Sequence, residues 1–128
     1  MGYSPELRNA KMDAITTVVG NTAKLEIYSG TKPATGGSEG TLLASFTCAT
    51  PFAPGASAGV LSPTLPSATT AVASGTAGWA RLNKTDGTTY CIDLTVGTSA
   101  AQVILNTLTI VSGGAVSITS WTITDGNP

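Results

Sequence analysis

The sequence predicts one mostly β domain, a small β-sandwich or jelly-roll carrying a single short helix at its N-terminus, and three observations carry that reading. From Lys24 onward the pattern is period two and rich in β-branched residues. The segments so patterned are short and punctuated by glycine and proline, of which the whole chain has 15 and 7. A chain of 128 residues has the commonest domain size, so one hydrophobic core is expected and no internal linker. Within that unit residues 1–22 read as an N-terminal arm and short helix, and residues 23–128 as the β domain.

The helix is marked at both ends. Ser4 is placed to cap it, Pro5 fits its first position and Glu6 complements the positive end of its dipole. Leu7, Ala10, Ala14 and Val18 recur at helical spacing, Ile15 widens the stripe, and Gly20-Asn21 supplies the stop. Arg8, Lys11 and Asp13 are expected to face water or a neighbouring subunit. So short a helix needs a surface to pack on. That surface is either the end of its own sheet or a partner onto which the helix projects as an arm.

The first strand is expected at Lys24 to Ser29, with Leu25 and Ile27 inward and Glu26 and Tyr28 outward. Thr31 to Gly40 reads as a loop. Leu42 to Cys48 follows as a strand with Leu42, Ala44, Phe46 and Cys48 on one face. Prolines and glycines from Ala49 to Gly59 exclude a regular central strand there. Short extended pieces are expected at Val60-Leu61 and, weakly, from Ala68 to Ser74. Trp79 to Leu82 enters a hairpin at Asp86-Gly87 and leaves along Thr89 to Val96. There Tyr90, Ile92, Leu94 and Val96 share one face and Cys91 and Asp93 the other. Val103 to Leu105 and Leu108 to Val111 are further strands. The alternation through Val116 and Ile118 resumes out of phase at Trp121 and Ile123, which predicts a bulge or change of face near Thr119-Ser120. Asp125 to Pro128 reads as a tail.

Charged residues are only 10% of the chain against roughly 25% in ordinary soluble domains, and the formal net charge is −1. The surface is therefore built from Ser, Thr, Asn, Gly and backbone, and weak charge repulsion makes homo-oligomers or docking acceptable. The six basic residues are scattered, which excludes a nucleic-acid footprint. No apolar run approaches the about 18 residues of a bilayer span. The opening lacks the basic-then-apolar pattern of a secretory leader, so synthesis in a cytosol is expected. Cys48 and Cys91 belong to no short-spaced pair. Two reduced thiols are expected in that compartment, although a bridge between paired strands stays geometrically open.

The chemical inventory points away from catalysis. With no histidine, imidazole acid–base chemistry, Ser-His-Asp and Cys-His arrangements and imidazole metal sites are all absent. Among the acids, Glu6, Asp13, Glu26, Glu39, Asp86, Asp93 and Asp125, only Glu26 with Asp93 suggests a pair of the kind glycoside hydrolysis needs, roughly 5 to 9 Å apart. Asp86-Gly87-Thr88 and Asp125-Gly126-Asn127 each offer one carboxylate, too few for calcium. Gly36-Gly37 and Gly113-Gly114 lack a phosphate-loop lysine and read as turns. No catalytic residue, cofactor or metal is expected. Trp79 and Trp121 are assigned to core packing. Tyr3 and Phe52, outside the strand pattern, are the expected partner contacts, joined by Leu7 and Met12 if the helix acts as an arm.

Leu7 to Ile15, Leu25 to Pro33 and Gly40-Thr41-Leu42-Leu43-Ala44, followed in order by Gly75 to Arg81, Asp86-Gly87-Thr88 and Ser112 to Ser120, resemble a family of small tailed-bacteriophage virion proteins. The resemblance covers nearly the whole chain and implies a capsid decoration or cement protein. Such a protein is made in the bacterial cytoplasm, sits on the outer surface of the capsid and bridges capsomers. Its implied partners are the major capsid protein and copies of itself, as a dimer or trimer, with no direct nucleic-acid or membrane contact. It implies contacts through Tyr3 to Asp13 and the open loops, and no catalytic residue. Alternatives are a tail or baseplate structural protein, with tail proteins as partners, and a tail-fibre carbohydrate- or host-binding module. The last would need Trp79 and Trp121 exposed as a platform.

Overall fold

The computed structural model describes residues 2–34, 37, 40–49 and 52–124. Expectations resting on Gly36, Glu39, Pro51 and the tail at 125–128 lie outside the described residues. The protein is mostly β, with one N-terminal helix, α1 (Pro5–Val19), and a curled, open half-barrel sheet. The strands are β1 (Lys24–Ser29), β2 (Leu42–Thr47), β3 (Val60–Leu61), β4 (Thr69–Thr70), β5 (Gly75–Asn83), β6 (Tyr90–Gly97), β7 (Val103–Leu105), β8 (Thr109–Ile110), β9 (Ala115–Val116), β10 (Ile118–Trp121) and β11 (Ile123–Thr124).

The main sheet runs β10-β7-β6-β5-β1-β2, with β8 pairing β5 beside this path. Two ribbons, β11-β3 and β4-β9, complete the pairing among the described residues. All pairs are antiparallel except β6-β7. The predicted change of phase near Thr119 is present. The β10-β7 register shifts between Ile118 and Ser120, after which the chain passes from β7 to β3 as its partner.

Leu25 and Ile27 of β1, Ala44 and Phe46 of β2, Ala80 and Leu82 of β5 and Leu94 of β6 form the inward face. The ribbons and loops close over it with Leu61, Ile110, Val116, Trp121 and Ile123 in one continuous cluster. Each large side chain so removed from water contributes about 1.5–3 kcal/mol.

Three further registers differ from the simple alternation, each at a bulge. Tyr28 pairs Leu42 while Ile27 pairs Ala44, so Leu43 is the extra residue and turns inward to full burial, leaving Leu42 half-exposed. Tyr28 pairs Trp79 while Ser29 pairs Ala77, and the intervening Gly78 lies so close to Gly30 that a Cβ would come within 1.8 Å of its carbonyl oxygen. Gly78 thus lies inside β5, because only glycine permits that crossing. Leu82 pairs Ile92 while Asn83 pairs Tyr90. Cys91 is therefore the extra residue, and Tyr90 moves to the face that carries Asp93, correcting the assignment of Tyr90 to the apolar face.

The helix forms as its caps predict. Ser4 Oγ accepts from Leu7 N at 3.2 Å, and Gly20 closes the last turn at φ +76° by donating to Thr16 O. It packs in cis across β3, but of the predicted stripe only Ile15 turns toward the core, where it is partly buried. Met12 and Val19 are buried, whereas Leu7 (47% exposed), Ala10, Ala14 and Val18 (56% exposed) face solvent. The reason lies in the connection before β3, whose turns leave backbone N–H groups needing acceptors. Asp13 Oδ1 accepts from Ala56 N at 2.7 Å and Asn9 Oδ1 from Gly59 N at 2.9 Å. These polar side chains fix the helix's rotation. None of the described helices is long and apolar enough to cross a membrane.

Candidate functional site

The four residues expected to meet a partner do not form one surface. Leu7 is exposed on the outward face of α1. Tyr3 is half-buried beneath Lys11, whose Nζ lies 4.0 Å from the ring centroid. Met12 is buried under α1, and Phe52 is fully buried with its ring edge-on to Trp121 at 5.3 Å. Within this chain Phe52 and Met12 are thus packed in the core, Met12 as part of the seat of α1. A Pro-rich loop looks exposed in sequence, but here it folds its one large apolar side chain under the ribbon that ends in β11.

The densest group of functional side chains lies instead on the second face of the main sheet. Strand parity puts Tyr28, Trp79, Arg81 and Asp93 there, and the bulge adds Tyr90. Arg81 Nε donates to Asp93 Oδ1 at 2.7 Å and Nη2 to Oδ2 at 3.2 Å, a two-pronged ion pair whose side chains are 7% and 4% exposed. Nη2 also donates to Gly37 O at 2.8 Å. The guanidinium lies 5.1 Å from the Trp79 ring and 4.9 Å from the Tyr90 ring, and Tyr28 stacks on Trp79 at 4.8 Å. Buried charge on this scale is tolerated because the pair is both neutralised and hydrogen-bonded. The Asp86-Gly87 turn alone would set Arg81 opposite Ile92, and the extra residue Cys91 shifts the register by one to place Arg81 opposite Asp93. Sequence reasoning missed it by treating Arg81 as one scattered surface cation.

The same geometry answers the question about Glu26 and Asp93. Both stand directly opposite Arg81, on its two neighbouring strands, so their backbones are about 10 Å apart across three strands. Asp93 is held by Arg81, and Glu26 Oε1 accepts from Asn83 Nδ2 at 2.8 Å. The guanidinium stands between them where a substrate would have to lie.

Asp86 uses its carboxylate inside its own turn. It accepts from Thr88 N and Thr89 N, each at 2.8 Å, and from Thr89 Oγ1, and these bonds hold its pKa down at about 2. Among the described residues no three metal-ligating side chains cluster. Both thiols are free. Burial pushes Cys48 up to about 12, and burial also raises Cys91. Cys91 opens onto a groove of about 210 Å³ between α1 and β6, lined chiefly by Ala14, Ile15, Val18, Val19 and Ile92. No family model, curated protein or solved structure matches this chain.

Proposed function

We propose that this protein is a non-enzymatic structural component of a tailed-phage virion, binding the outside of the capsid as a decoration protein that bridges capsomers. The observation that carries the reading is where its aromatic and charged side chains go. Trp79, Trp121 and Tyr28 are at most 3% exposed, and the most concentrated charge is cancelled within Arg81–Asp93. A sugar platform needs exposed rings and a hydrolase needs free carboxylates, so this arrangement favours neither. What faces outward is an apolar helix face on a sparsely charged body, the kind of surface that docks by shape. The sequence resemblance supplies the capsid, and the ribbons over the curled sheet are consistent with a reduced sandwich.

Binding only to assembled capsomers would stabilise the assembled state by linkage, and icosahedral repetition multiplies a modest interface. Few charges at the contact make such docking weakly salt-sensitive. Cryo-electron microscopy of the particle that carries this chain tests the reading. Density bridging capsomers on the outside of the head is the expected result. Density confined to the tail or baseplate would overturn the capsid role and leave a tail structural role.

A further inference from the structure

We propose that α1 is an exchangeable arm, seated in cis in the isolated chain and seated on the same site of a second copy in an oligomer. Four independent features of the seam point to an element poised to move. The hinge between α1 and β1 is short and strained: Thr22, a β-branched residue, is held at φ +50° two positions after Gly20. The helix inserts few side chains, Met12 and Val19 being buried and Ile15 partly so. Thr16 Oγ1, on that same inward face, is buried without a hydrogen-bond partner. Beside it the groove against Cys91 and Ile92 stays unfilled.

Against these, the seat itself is specific. Asn9 and Asp13 reach the backbone of Gly59 and Ala56, and Gly59 lies so close to Arg8 that a Cβ would come within 2.5 Å of Nη2. Specific seating and a strained tether favour the same contacts made between chains, since exchange keeps every seat contact and relaxes the tether. The second copy is the partner because it carries the complementary seat by construction. This inference stands apart from the virion reading and holds wherever the protein works.

Light scattering coupled to size exclusion, from micromolar to millimolar full-length protein, tests it with two hinge variants. The wild-type chain is expected to show an oligomer that grows with concentration. Inserting six Gly/Ser residues between Gly20 and Asn21 relaxes the cis tether and is expected to cut the association constant by roughly tenfold or more. Thr22→Gly relieves the φ strain and is expected to move it the same way by less. A wild-type chain monomeric throughout would overturn the proposal. So would an oligomer unchanged in both variants, which would assign association to the outward Leu7–Val18 face instead. Both changes lie in an exposed turn, and an unchanged circular dichroism spectrum verifies the fold before either comparison.

Discussion

The two faces of the main sheet are both buried, but by different means. The inward face excludes water with Leu25, Ile27, Leu82 and Leu94, which ask only for matching volume. The second face does so with Tyr28, Trp79, Tyr90, Arg81 and Asp93, where each polar atom depends on its neighbour. Burial on the first face is cumulative and tolerant, and on the second it is conditional. The second face therefore fixes strand register more sharply, since a slip of one residue would leave a buried guanidinium opposite no carboxylate.

The largest effect that sharpens this contrast is expected at the ion pair. Asp93→Ala leaves Arg81 buried and uncompensated and should cost about 3–5 kcal/mol, measured by urea unfolding. Leu82→Ala on the inward face, a cavity alone, should cost about 3 kcal/mol. The double replacement Arg81→Met/Asp93→Leu removes the conditional element altogether and should sit within about 1 kcal/mol of wild type. If that double variant is as unstable as Asp93→Ala, the two faces do not differ in the way described.

The thiols sample the same contrast between sealed and open packing. Cys48 is 3% exposed and its pKa stands near 12, so it should resist a thiol reagent at pH 8 until the chain unfolds, while Cys91, at the α1 groove, reacts first. Mass spectrometry of the labelled sites reads the order. The smallest effect is expected at Asp86, fully exposed in its turn. Its folded pKa of about 2 lies below the ordinary aspartate value of 3.8, so its contribution is present above about pH 4 and fades as pH falls through 2. The difference in melting temperature between wild type and Asp86→Asn should be flat above about pH 5 and vanish below pH 2.

The inward face was legible in the sequence because alternation records it directly. Leu25, Ile27, Phe46 and Leu94 all lie where period two puts them. The second face was not, since Arg81 and Asp93 look like surface charges until strand pairing sets them side by side. Bulges account for the remaining differences at Leu43, Gly78 and Cys91, where one inserted residue reverses the parity that sequence reasoning counts. The helix's caps were readable at Ser4 and Gly20, but not its rotation, which depends on Asn9 and Asp13 finding two backbone N–H groups far along the chain. The burial of Phe52 was not legible because a loop's composition does not record what lies beneath it.

The position of β1 in the sheet has a consequence for how the chain reaches this state. β5 and β6 are joined through a tight turn and pair locally, whereas β1 joins β5 only by bringing Leu25 opposite Leu82, across nearly half the sequence. Closing that distance costs entropy before the central pairing repays it, so docking of the β1-β2 pair onto the β5-β6 hairpin is the expected slow step of folding.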